Sequence, residues 1–151
     1  MYKLNLVREA VPGTEADILI KNPHEAAAFL GRCCYTPENS WRESCWAIAL
    51  DSGNRVIGYF LVSMGSVTQT AIDPVLVAKV AVDTCCRKVI LSHNHPGGDP
   101  APSESDIRQT SAAQKALQLF GVKLIDHVIV GEGRYYSMEE ERLYVEKEVA
   151  A

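Results

Sequence analysis

His93 and His95, two histidines one residue apart, are the residues of this chain best suited to do chemistry. They lie in Ser92-His93-Asn94-His95-Pro96-Gly97-Gly98-Asp99-Pro100-Ala101-Pro102-Ser103-Glu104-Ser105-Asp106, directly after the apolar run Val89-Ile90-Leu91. Asp106 follows at what reads as the start of a helix. Two imidazoles and a carboxylate make three ligands for a tetrahedral ion and leave the fourth position for water. That is the pattern of a catalytic zinc site rather than a structural one. The spacing predicts zinc-dependent hydrolysis.

Local geometry supports the grouping. On an extended backbone residues two apart point the same way, so His93 and His95 share one side of the strand end. Pro96, Gly97 and Gly98 then turn the chain and stop both helix and strand. Ser103 and Asp106 also form the S-x-x-D of a helix-capping box, which needs no metal at all. The two roles are compatible, because a residue at the third helical position can lean out of the first turn. Asp106 is therefore read as the third ligand and Ser103 as a hydroxyl beside the reacting centre. Hydrolysis further needs a group that moves a proton from water to the leaving group. Glu43, Asp99, Glu104 and Asp126 are the candidates. On general grounds Glu43 reads as a solvated charge at a strand end.

The elements that must position these groups follow from pattern. Tyr2 to Val7 alternates as an edge strand would. Asn22-Pro23-His24-Glu25 starts a helix running to about Tyr35, with Asn as cap and Pro at the first position. Cys45 to Leu50 and Val56 to Val62 are apolar runs joined by Asp51-Ser52-Gly53-Asn54, a hairpin expected to lie centrally in a sheet. Asp73-Pro74 opens a second helix, and Lys88 to Ser92 is a buried strand ending at the histidines. A third helix starts near Ser103 and stops at Gly121. Val122 to Val130 is a strand, and Ser137-Met138-Glu139-Glu140 begins a terminal helix. The order predicts an α/β fold with a mixed sheet flanked by helices.

Composition narrows the classes. The chain has 151 residues, 47% of them apolar, which predicts one domain over residues 1–151. A net charge of −4 argues against a standing grip on nucleic acid, so direct DNA binding is not expected. The N-terminus has no signal-like apolar core and no stretch reaches membrane length, so no membrane association is expected. The five cysteines, Cys33, Cys34, Cys45, Cys85 and Cys86, have poor zinc-ribbon spacing. They read as reduced, packed thiols of a cytoplasmic protein.

With these residues in view, the pattern H-x-H-P-x6-S-x2-D preceded by a distant Glu resembles the JAB/MPN (JAMM) metalloprotease motif. Within that superfamily, HNHPGGDPAPSESD followed by DHVIVG at 126–131 resembles the bacterial RadC family, over about Asn22 to Ser137. The resemblance implies an MPN/JAB-type sandwich, a curved mixed sheet flanked by helices with a cytidine-deaminase-like outline. It implies Zn2+ held by His93, His95 and Asp106. Glu43, just before Trp46-Ala47-Ile48-Ala49-Leu50, would activate the water and shuttle its proton. Ser103 would stabilise the oxyanion, and His127 would be a core or supporting residue rather than a ligand. The implied substrate is a peptide or protein.

The chain departs from the family pattern in places. Gly97 stands where HNHPSG has serine, and the Arg that commonly follows the proline of Asp73-Pro74 is missing. Only 42 residues precede Glu43, so the helix-hairpin-helix region of full-length members is expected to be absent. Other classes fit less well. A zinc deaminase would need H-x-E and P-C-x-x-C, and a metallo-β-lactamase-type hydrolase would need an Asp-His pair after H-x-H. A non-catalytic MPN-like scaffold would usually lack a ligand. A DNA-repair or mobile-element accessory protein would sit poorly with the acidic balance.

Overall fold

The computed structural model describes residues 17–65 and 71–145. Its elements are α1 (Pro23–Cys33), β1 (Ser44–Leu50), β2 (Val56–Met64), α2 (Pro74–Thr84), β3 (Lys88–Asn94), α3 (Glu104–Gln118), β4 (Lys123–Val130), β5 (Arg134–Ser137) and β6 (Arg142–Val145). The strands form one six-stranded sheet in the order β2-β1-β3-β4-β5-β6. Only β3 and β4 run parallel, joined through α3, and every other neighbouring pair is antiparallel. This is the α/β mixed sheet with flanking helices that the element order predicts.

The helices start where their caps allow. Asn22 Oδ1 accepts the Glu25 N–H at 2.9 Å with Pro23 in the first turn, and Asp73 accepts from Val75 N–H at 2.9 Å ahead of Pro74. Helix α1 ends at Cys33, two residues short of the expected Tyr35. Helix α3 ends at Gln118, and Gly121 takes a φ of +66° in the turn beyond it.

Both faces of the sheet are covered. Ala26, Phe29 and Leu30 of α1 pack on Ile48, Leu50, Ile90 and Val128. Val77 and Ala81 of α2, with Ala113 and Leu117 of α3, pack on Ala47, Ala49, Val89 and Leu91. Strands β1 and β3 are thus buried on both faces, which is why they read as continuous apolar runs. Strand alternation then sends His93, in step with Val89 and Leu91, to the α2/α3 face. Ser92 and Asn94 go to the α1 face.

Two expectations need correction, and one lies outside the described residues. The β1–β2 hairpin forms, with Asp51 Oδ1 accepting from Gly53 N–H at 2.8 Å and Arg55 N–H at 2.9 Å. Among the described residues only β1 is central, however; β2 lies at the edge of their sheet and its residues are mostly half-buried. An apolar run alone does not reveal whether a strand has one neighbour or two. At Ser137–Glu140 there is no helix but the turn between β5 and β6. The Ser137 hydroxyl donates to Asp126 Oδ2 at 2.7 Å and accepts from Glu140 N–H at 3.2 Å, so the serine that reads as a cap closes a turn instead. Glu141 follows at a φ of +49°, and Tyr135 and Tyr144 stack across the hairpin with centroids 4.9 Å apart. The expected strand at Tyr2–Val7 falls outside the described residues.

Candidate metal centre

The centre forms where the end of β3 meets the start of α3. His93, 1% exposed, is the penultimate residue of β3, and His95 follows the strand. Their Nε2 atoms lie 2.9 Å apart. Asp106 reaches over from α3, with Oδ1 3.2 Å from His93 Nε2 and Oδ2 3.5 Å from His95 Nε2. Ligands 2.0–2.1 Å from a tetrahedral ion stand about 3.3 Å apart, and each histidine lies near that distance from one Asp106 oxygen. Two imidazoles and a carboxylate fit zinc in kind.

Asp106 also closes the capping box. Its Oδ2 accepts from Ser103 N–H at 2.7 Å while Ser103 Oγ accepts the Asp106 N–H at 3.1 Å. The box holds the carboxylate at the third helical position with its outer edge toward the imidazoles, so the structural and the chemical roles coexist. Ser103 spends a lone pair on the cap and keeps its hydroxyl proton to donate.

Glu43 sits immediately before β1 and is only 6% exposed, which overturns its reading as a solvated charge. Its carboxylate and the His93 and His95 ring nitrogens lie within 4.8 Å of one another, an arrangement that could hold a metal ion. Two sets of three groups thus share the histidine pair, one completed by Asp106 and one by Glu43. Asp106 contacts each imidazole through one carboxylate oxygen, and Glu43 flanks the same pair from the start of β1. The other candidate bases fall away. Asp126 lies on the opposite face, accepting from Ser137 Oγ, His127 N–H and Glu139 N–H. Glu104 is exposed beside Arg108, and Asp99 Oδ1 accepts from Ala101 N–H.

Asn94 escapes sequence reasoning, yet it fixes Glu43. Standing between the two histidines, it faces the other way and is 4% exposed. Its Oδ1 accepts from Ser44 N–H at 2.9 Å, and its amide donates to Ser40 O and Arg42 O at 3.0 Å each. The segment that carries Glu43 is therefore pinned to the strand that carries His93. The alternation H-N-H was the available signal.

The loop after His95 supports its ring. His95 Nδ1 lies 2.8 Å from Asp99 O, and a carbonyl only accepts, so Nδ1 carries the proton and Nε2 faces the centre. The loop packs tightly here, because a Cβ on Gly131 would meet Gly98 O at 2.3 Å, and Gly98 itself has a φ of +90°. Gly97 has open space where a Cβ would stand, so a serine there would be accommodated.

Charge in the centre follows from burial and partners. Burial alone would raise the Asp106 carboxyl, but hydrogen bonds from His93 and His95 outweigh it and hold the group well below its ordinary range. The hydrogen bond to Asp106 pulls His95 above its ordinary value of 6.5 against the opposing effect of burial. Burial, then the neighbouring His93, hold His127 well below that value. Cys45, opposite His93 in the β1–β3 register, is raised first by burial and then by the Glu43 and Asp106 charges, so it stays a thiol. All five cysteines are free.

A family profile described as a RadC-like JAB domain matches residues 20–143. The chain belongs to the RadC-like JAB domain family. It is 36% identical over 131 residues to a UPF0758 protein of Coprothermobacter proteolyticus, covering 86% of this chain and 56% of that one. A UPF0758 protein of Aquifex aeolicus is 38% identical over 129 residues, covering 85% and 54%. One from Methanococcoides burtonii is 41% identical over 100 residues, covering 66% and 44%. The chain thus spans about half the length of these relatives.

Proposed function

We propose that this RadC-like JAB domain is a zinc-dependent metallohydrolase of the amide- or isopeptide-cleaving (JAMM) type. The observation that carries the reading is the convergence of His93, His95 and Asp106, with buried Glu43 beside them. His93, His95 and Asp106 would hold the ion. A bound zinc ion would supply Lewis acidity and lower the pKa of a water in its open position to about 7.

The chain's own groups do the rest. Glu43 accepts the proton of the attacking water and delivers it to the leaving nitrogen, a role that suits a buried carboxylate held still by the Asn94 clamp. Ser103 turns its free hydroxyl proton toward the developing oxyanion while its lone pair stays on the helix cap. Asp106 counters the cationic centre, and the Asp99 carbonyl keeps the His95 ring in its binding tautomer.

A peptide or protein is the substrate class, and the cytoplasm, where free thiols persist, is the compartment. Among the described residues no helix is long and apolar enough to cross a membrane. The scaffold alternative is weakened because none of the four groups is replaced.

The test begins with metal content of the purified, tag-free protein after dialysis without chelator. About one zinc per chain is expected, followed by zinc-dependent cleavage in a panel of peptides and isopeptide-linked conjugates. Protein that neither holds nor takes up zinc would refute the reading.

Acidity gives a further expected result. In the metal-free protein His95 and Asp106 form a hydrogen-bonded pair, and zinc must displace the His95 proton. Because His95 is raised above 6.5, zinc affinity should strengthen as pH climbs from 6.5 through that raised value and weaken on acidification. The His95 pairing stabilises the metal-free fold below 6.5 and is lost as pH rises through the raised value, so the zinc-dependent gain in Tm should grow over the same interval. Chelator competition across this range, run beside thermal melts, measures both. A flat affinity profile would contradict the assignment of His95.

A further inference from the structure

We propose that Thr110 and His127 are positioning residues, a hydrogen-bonded relay that starts at the backbone of Asp106 and sets which ring nitrogen of His93 faces the centre. The inference rests on the metal site proposed above but can be tested separately from it. Four contacts carry it. Thr110 Oγ1 is 2.6 Å from Asp106 O and 2.6 Å from His127 Nδ1, and His127 Nε2 is 2.7 Å from His93 Nδ1. His93 Nε2 then faces Asp106 Oδ1 at 3.2 Å, so the chain of contacts returns to the residue where it began.

Proton accounting gives the relay one direction. The Asp106 carbonyl can only accept, so the Thr110 hydroxyl donates to it. Thr110 then offers a lone pair to His127, whose Nδ1 must carry a proton. The fully buried His127, whose Nδ1 donates to Thr110, then accepts at Nε2 from His93 Nδ1–H. With Nδ1 donating to His127, Nε2 is the His93 nitrogen that faces the centre, where it meets Asp106 Oδ1 and would bind an ion. The reversed relay, with Nδ1 accepting, would fix the His93 proton on Nε2, where the ion must sit.

Thr110 lies one helical turn after Asp106 on α3, while His127 comes from β4 and His93 from β3. The relay thus fastens the two histidines to the helix that supplies the carboxylate. It is unlike the usual arrangement, in which a ligand imidazole donates directly to a carboxylate, carbonyl or water. Here a second imidazole stands between, and its own proton must be ordered by the threonine.

Two measurements decide the matter. The first is 15N NMR of the imidazoles in the zinc-free wild-type chain, which reads tautomers without any variant. His93 and His127 should both be protonated at Nδ1; a His93 with no proton on Nδ1 would overturn the relay. The second is zinc affinity by chelator competition in Thr110→Val and Thr110→Ser. Valine keeps the shape and β-branching but has no hydroxyl to order His127.

Thr110→Val should bind zinc about 10–100-fold more weakly, the loss typical of a supporting partner. Thr110→Ser, which restores the hydroxyl, should recover most of it, and a purely steric role would give the reverse order. Full affinity in Thr110→Val with His93 still protonated at Nδ1 would overturn the proposal. A wild-type chain that takes up no zinc would refute the metallohydrolase reading, and the NMR tautomers would then decide the relay alone.

Discussion

His95→Ala and Asp106→Asn are both expected to strip zinc from the purified protein. The loss should exceed the roughly 10–100-fold that removing a supporting partner costs, because each change deletes a direct ligand. Asn is the informative replacement at 106. Its carbonyl oxygen still accepts the Ser103 N–H that Asp106 Oδ2 accepts at 2.7 Å, so the cap of α3 survives while the charge goes. Circular dichroism and Tm of the zinc-free variant report the cap, and chelator competition reports the ligand. Retention of full zinc affinity in both variants would show that the S-x-x-D segment and its neighbouring histidine serve the fold alone.

Glu43→Gln should separate binding from turnover. The amide matches the carboxylate in size at a site only 6% exposed, but it accepts a proton far less readily. Zinc should stay bound while cleavage of any substrate found falls by about 10²–10⁴-fold, the usual contribution of a positioned acid–base group. Glu43 also lies within 4.8 Å of both histidines, so the outcome discriminates between two carboxylates. If Glu43→Gln lost the metal and Asp106→Asn kept it, Glu43 would be the third ligand and Asp106 a helix cap that orients the imidazoles.

Much of the fold is legible residue by residue where the cause is local. Caps at Asn22 and Asp73, the Asp51–Asn54 turn and the buried run before His93 each follow from short-range chemistry, and each stands as expected. Ser137 shows the limit. Its sequence context is that of a helix start, yet a buried aspartate 11 residues earlier captures the hydroxyl and a hairpin results. Likewise, Val56 to Val62 reads as a central strand, yet among the described residues β2 pairs with β1 alone and lies at the edge.

The sequence by itself determined most element types and singled out His93, His95 and Asp106 as neighbours. H-x-H at a strand end and S-x-x-D at a helix start are short-range patterns whose periodicity and capping fix where side chains point. Only the tertiary structure decided which distant groups complete the centre. Glu43 meets His93 because β1 pairs with β3 in the register Cys45↔His93 and Asn94 ties down the segment before β1. His127 meets His93 because β4 runs parallel to β3, and Thr110 reaches His127 because α3 packs against β4. Strand register and helix docking depend on burying both faces of the sheet at once, a condition on the whole chain that no short stretch carries.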